Sequence, residues 1–163
     1  MFDPITYFEN LTDKLKVCRN NDYHFTKVSG LTELEGVLQN RKRYINFIAV
    51  DDSENGMTSR ARGHGYFERR PYTVFICSAT KYGDMDARNT LLNQHRTIFR
   101  SFMSQIIKDR ADDQNNLLQF DSARIPFYEI PGMFGGGCVG IWFLIYIDNP
   151  IDLTRDADDW YTE

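Results

Sequence analysis

The spacing of hydrophobic positions along this chain changes several times, and each change marks an element. Ile5, Phe8, Leu11, Leu15 and Cys18 recur at steps of three and four. Such steps collect side chains on one face of a helix. Asp3 followed by Pro4 gives an N-cap and a proline at the first helical position, so a helix is predicted to open there and end near residues 19–21. Tyr23 to Val28 alternates instead, as a short strand that offers Tyr23, Phe25 and either Lys27 or Val28 to the core. Thr32-Glu33-Leu34-Glu35 fits a capping box and predicts a short helix over 33–40. Tyr44 to Val50 is β-branched and aromatic, the composition of a strand.

The most strongly patterned stretch runs from Pro71 to Asp109. Tyr72-Thr73-Val74-Phe75-Ile76-Cys77 is apolar on both alternating faces, which suits a central strand covered on two sides. Lys81-Tyr82-Gly83-Asp84 then leads into one long amphipathic helix, predicted over 84–108. Its stripe is Leu91, Leu92, His95, Ile98, Phe99, Phe102, Met103, Ile106 and Ile107. Asp84 and Asp86 favour the positive end of its dipole. After a polar connection over 109–119, two strands are predicted over 125–130 and 140–147, joined by a glycine-rich turn between Pro131 and Val139. Pro126 cannot donate to a ladder and suits an edge strand. Residues 51–70 are polar and too many for a structureless link in a compact domain. They are expected to form a mobile functional loop or a protruding hairpin, with His64 to Glu68 as its return arm.

This order predicts an α+β fold: a mainly antiparallel mixed sheet with one long helix and a shorter N-terminal helix packed on one face. The chain has 163 residues, long enough to bury a sizeable core without a staple. One domain is expected over 1–150, followed by an acidic C-terminal tail over 151–163. From Asp148 onward there are six acidic residues against one arginine, with Trp160 and Tyr161 as possible anchors.

Composition narrows the chemistry. The formal net charge of −4 argues against a general nucleic-acid binder, which neutralises phosphates with clustered cations. Cys18, Cys77 and Cys138 are odd in number and far apart, which is no disulfide framework. A reduced, cytosolic site of synthesis fits them better. Met1-Phe2-Asp3-Pro4 lacks a basic region ahead of an apolar run, so no secretory signal is expected. The longest apolar run, Ile141 to Ile147, is far short of the roughly 20 residues a membrane helix needs.

No catalytic motif stands out. Gly135-Gly136-Gly137 invites a phosphate loop, but no Lys-Ser or Lys-Thr follows at a helix start. A hairpin tip using positive φ is the plainer account. Asp51, Ser53, Asn55 and Gly56 match the opening of a calcium loop, yet the twelfth position is Arg62 where a bidentate glutamate belongs. The cysteines and His24, His64 and His95 show no zinc spacing. No catalytic, cofactor or metal residue is therefore assigned.

What remains is charge and aromatic surface. Arg41-Lys42-Arg43 and Arg60, Arg62, Arg69, Arg70 are basic clusters, while Asp156, Asp158 and Asp159 dominate the tail. They are either solvated surface or a basic face on one copy meeting an acidic tail on the next, which would fix register. The basic loop could alternatively face DNA in a pore, through weak sequence-independent attraction.

The layout of Pro71 to Ala79, Asp84 to Lys108 and Gly140 to Asp148 resembles the tail-terminator and tail-completion proteins of long-tailed bacteriophages, which join head to tail. The resemblance implies a small α+β subunit with no catalytic residues that closes into a ring, commonly of six copies. The ring caps the tail tube, stops its growth and offers a face to the neck and head connector. It implies a virion protein made in the host cytoplasm, with copies of itself and tube and connector proteins as partners, no membrane, and non-specific passage of DNA through the lumen. Ring closure needs two different complementary patches on each copy. The charged groups Arg60, Arg62, Arg69, Arg70, Asp156, Asp158 and Asp159 are candidates, with Tyr66, Phe67, Phe134 and Trp160 as the aromatic part of that oligomer interface. Another neck protein of the same virion stays open. So does a small intracellular protein-binding domain that clamps a partner between the 132–140 tip and the 51–70 loop. An enzyme using Asp51, Asp52 and Glu54 with a metal is a third possibility.

Overall fold

The computed structural model describes residues 3–30, 33–34, 36, 45–51, 53, 56–60, 65–81, 83–112, 124–134 and 138–154, with the side chains of 131–134 left aside. Among the described residues the elements run α1 (Pro4–Lys14), α2 (Lys16–Asn20), β1 (Tyr23–Val28), β2 (Asn46–Asp51), β3 (Met57–Arg60), β4 (Tyr66–Ala79), α3 (Met85–Asp112), β5 (Phe127–Phe134) and β6 (Cys138–Ile151). The strands form one sheet in the order β1-β2-β4-β6-β5, with β3 pairing a second stretch of β4. Among the described residues β1 and β2 pair in parallel, and the remaining pairs are antiparallel. The α+β class, the mixed sheet, the long helix and the short N-terminal helix are as the pattern predicts.

The spine of the sheet is the β4–β6 ribbon, fourteen residues on each strand and in one unbroken register from Tyr66 opposite Ile151 to Ala79 opposite Cys138. Alternation sends Tyr72, Val74 and Ile76 to one face, and their partners Ile145, Phe143 and Ile141 go with them. Most of this face, with Ile48 and Val50 from β2, packs on Phe8 of α1 and on Ile98, Phe102 and Ile106 of α3. The opposite face is smaller: Phe47, Ala49, Phe75, Cys77, Ile130 and Cys138 cluster with Val28 and Leu34. The central strand is thus apolar on both sides because both sides are covered, the second by Leu34 in the β1-to-β2 crossover as well as by the sheet's own neighbours.

Caps fix the helices. The Asp3 carboxylate accepts the Ile5 and Thr6 amides at 3.0 and 3.3 Å and the Thr6 hydroxyl at 2.6 Å, as the Asp-Pro pair predicts. Helicity breaks at Leu15, in extended backbone; its carbonyl then accepts the Cys18 and Arg19 amides and opens α2. Asp84 caps α3 through the Ala87 amide, 2.9 Å away. The long helix runs four residues past the expected end, to Asp112, and Ile107 lies outside its buried stripe. Of the short helix expected over 33–40, Glu33, Leu34 and Gly36 are described and helical, as is Gly30. Glu33 accepts the Ser29 amide at 2.8 Å, while Thr32, Glu35 and residues 37–40 lie outside the described residues.

The described residues within 51–70 include an antiparallel pair of strands. Met57–Arg60 pairs with Tyr66–Arg69, so Tyr66 to Glu68 are indeed the return arm. Val50 opposes Val74 while Met57 opposes Arg69, so the β2–β3 side carries two more residues than β4 across the gap. This bulge explains a proline in a central strand. Ala79 donates to the Ile45 carbonyl at 2.7 Å, so odd-numbered β4 residues turn their backbone groups toward β2 and β3. The Pro71 nitrogen therefore falls opposite the bulge, where no ladder bond is lost.

The last strands differ from expectation at their ends. β5 starts at Phe127, after Pro126, whose carbonyl accepts the Leu144 amide at 3.1 Å, and it continues to Phe134. β6 extends to Ile151, so Asp148 to Ile151 are ladder residues and not a tail. At Gly140 of β6 the neighbouring strand β4 leaves no room for a side chain. A Cβ there would strike the Ile76 carbonyl oxygen and sit 2.7 Å from the Cys77 sulfur. Gly140→Ala is expected to destabilise the fold by about 3 kcal/mol, read as a lower urea midpoint. Adding Cys77→Ala should not restore it, because the carbonyl obstacle belongs to the backbone.

Candidate functional site

The ribbon outruns the helices. Below Tyr72, the strands β3, β4 and β6 form a three-stranded antiparallel arm. Toward its end apolar side chains are uncovered, with Met57 59% exposed, Tyr66 44% and the following Leu153 53%, whereas Ile147 nearer the core is buried. Phe67 is half-buried and shares its face of the ribbon with Met57, which stands opposite Arg69, while Tyr66 lies on the other face.

The arm's charges are mostly satisfied within the protomer. Arg69 stands directly opposite Asp148. Its Nε and Nη2 donate to the two carboxylate oxygens at 2.7 and 2.9 Å, a bidentate fork of the strong kind. Arg70 Nε lies 2.8 Å from Glu68 Oε2. These two arginines, expected to meet an acidic tail on a neighbouring copy, thus hold acids of their own chain. Arg60 is exposed at the end of β3. Arg62, Asp156, Asp158, Asp159 and Trp160 lie outside the described residues, and Phe134 is placed in β5 by its backbone alone. The arm therefore brings together Arg60, Tyr66, Phe67, Arg69 and Arg70. Arg41-Lys42-Arg43 are also outside the described residues.

The β6 edge of the arm is guarded. Even-numbered residues of β6 point their backbone groups away from β4, as the bond from Leu144 to Pro126 shows. Pro150 is one of them and offers no amide there, and Asp148 is another. Proline and charge at such an edge discourage a further strand.

Sequence reasoning missed a buried polar seam. Ser78 Oγ lies 2.8 Å from His95 Nε2 and 3.3 Å from the Tyr23 hydroxyl. A serine and an imidazole in contact suggest a nucleophile and its base. Here both are fully buried, and His95 Nδ1 has no partner to orient the ring. The arrangement ties β1, β4 and α3 together. His95, on the apolar stripe of the long helix, is a hydrogen-bonded histidine of the core. Ser78 carried no signal beyond its place in the alternation. Cys18, Cys77 and Cys138 are buried free thiols, and burial pushes the Cys18 thiol up to about 12.

A groove of about 440 Å³ separates α1 from α3, lined among others by Tyr7, Lys14, Gln105 and Asp109. Asp109 is occupied: Tyr7 and Gln105 each donate to it at 2.6 Å. Burial and that carboxylate raise the Tyr7 hydroxyl well above its ordinary value. Asp51, a candidate for metal chemistry, instead accepts the Gly30 and Ser53 amides and the Ser53 hydroxyl through one oxygen; Asp52 and Glu54 lie outside the described residues. Among the described residues, no three His, Cys, Asp or Glu side chains gather as a metal site, and no helix is long and apolar enough to cross a membrane. Comparison with protein-family models and with curated proteins finds no match.

Two measurements test this electrostatic description. A double-mutant cycle on Arg69→Ala and Asp148→Ala should give a coupling of about 1 kcal/mol; no measurable coupling would contradict the bidentate pair. Burial holds His95 down to about 4, against about 6.5 when unfolded. The unfolded chain then binds the proton first as pH falls. Stability is full above about pH 6.5 and declines by about 1.4 kcal/mol per unit toward pH 4. Urea midpoints at pH 7 and 5 should show the decline, and His95→Gln should remove its histidine component.

Proposed function

We propose that this chain is a non-enzymatic structural subunit of a bacteriophage virion, forming a ring at the tail–neck junction that terminates the tail tube and joins it to the head connector. The observation that carries the reading is the arm. It projects exposed Met57, Tyr66 and Leu153 on a stiff ribbon whose arginines Arg69 and Arg70 are already paired. Apolar side chains held outside a core, with charges neutralised around them, suit contact with another protein. The layout that resembles tail-terminator proteins supplies the kind of contact: a heterologous one repeated around an axis. The partners in this reading are further copies, the tube and the connector, with DNA passing through the lumen without specific contacts.

A second reading, a small intracellular binding domain, draws on the α1–α3 groove. It expects one ligand or protein partner and no ring.

Light scattering and negative-stain micrographs of the purified chain separate the two. A closed oligomer, or a monomer that becomes a ring when tail tubes are added, is expected. A monomer that associates with no virion component overturns the ring.

A further inference from the structure

Two of the three cysteines share the smaller, helix-free face of the sheet. Cys77 of β4 and Cys138 of β6 belong to one buried cluster with Phe47, Ala49 and Phe75, and each is 1% exposed. The ladder sets Cys77 opposite Gly140 and Ala79 opposite Cys138. The two cysteines therefore stand on adjacent rungs of that face, diagonal to each other. Neither rung is a hydrogen-bonded one. Ala79 spends its amide on the Ile45 carbonyl, so Cys77, two residues back, also turns its backbone groups away from β6. Side chains on such rungs lie closest. The right-handed twist of the ribbon then draws one diagonal together. On these rungs it is the one that joins a β4 residue to the residue two before its partner, Cys77 to Cys138.

Gly140 leaves the path between them open. It carries no side chain, and the Cys77 sulfur leans over it, 2.7 Å from where a Cβ would stand. That sulfur thus already crosses toward β6. Burial raises the Cys77 thiol well above its ordinary value, and the nearby Cys138 sulfur adds to the rise. Cys18 stands apart, packed with Phe8 and Tyr23 on the helix-covered face.

We infer that Cys77 and Cys138 are a redox pair: they close to a disulfide that staples β4 to β6 in oxidising surroundings and open in reducing ones. The inference concerns a single copy and does not rest on the ring reading. A chain made where thiols are kept reduced folds with the pair open, and the staple closes once it meets an oxidising medium.

Inside the intact cluster the pair is inert, because apolar surroundings hold both groups as thiols. Reaction begins where the ladder ends. Ala79 and Cys138 form the last rung of the β4–β6 register, and strand ends open at small cost. One thiolate attacks a small disulfide such as oxidised glutathione and releases one glutathione. The second attacks the mixed disulfide and releases the other. The chain gives up two hydrogens, and their electrons convert the glutathione disulfide to two thiols. The new bond joins strands on opposite sides of the 28-residue α3. A loop that long loses much freedom in the unfolded chain when it is closed.

The test uses the full folded chain, incubated with oxidised glutathione at graded ratios to glutathione. The product is unfolded in an alkylating agent and mapped by mass spectrometry without reduction. A Cys77–Cys138 bond within one chain is expected, with Cys18 alkylated. The oxidised form should unfold about 5 °C higher or more, and dithiothreitol should reverse the rise. Cys138→Ala should lose the rise. Each form is compared with itself before and after oxidation, so its starting stability does not enter. Three alkylated cysteines, even after incubation close to the unfolding midpoint, overturn the inference. So does a bond that includes Cys18 or joins two chains. A Cys77–Cys138 bond that leaves the unfolding temperature unmoved or lower overturns the staple.

Discussion

One constraint organises the molecule: β4 and β6 must run side by side for their full length without slipping. A shift of β4 by one residue would exchange its two faces. Tyr72, Val74 and Ile76 would leave α3, and Phe75 and Cys77 would be driven into it. Gly140 marks a rung where β4 leaves no room for a side chain on β6. Ser78 marks the register chemically, since only the native alignment brings its hydroxyl to His95 and Tyr23. The helices pack on a surface that this ribbon defines.

The same ribbon divides the chain's work. Where helices cover it, side chains interlock as a core. Where it runs past them, it becomes an arm, and there the chain handles charge differently. Arg69 and Asp148 face each other across one rung, while Arg70 and Glu68 pair along one strand. Backbone groups at the outer edge of β6 are shielded by Pro150. The side chains are left to select contacts, and the open ladder does not select them.

Much of this was legible in the sequence because periodicity reports burial. The Asp3-Pro4 cap, the doubly apolar β4, the stripe of α3 and the strand pair within 51–70 each follow from spacing or composition. Ends were less legible: β6 continues through Asp148-Asn149-Pro150, polar residues that read as a tail but sit in a ladder because β4 supplies partners. Pro71 gave no warning of the bulge that accommodates it. Charge was the least legible feature. A cluster of arginines looks available until the fold shows which acids stand opposite, and Asp148 is 79 positions from Arg69 in the chain. The seam of Tyr23, Ser78 and His95 was hidden for the same reason, being assembled from three separate elements.

The order of strands also governs how the chain acquires its structure. Every rung of the central ribbon joins residues on opposite sides of the 28-residue α3 in the sequence, so none forms by local zipping. During synthesis, β4 emerges with two apolar faces and must wait for β6, with only the β2–β3 side to shelter it. Closure of that long loop is the late and slow event, and before it the nascent chain is a natural client for chaperones that hold exposed strands.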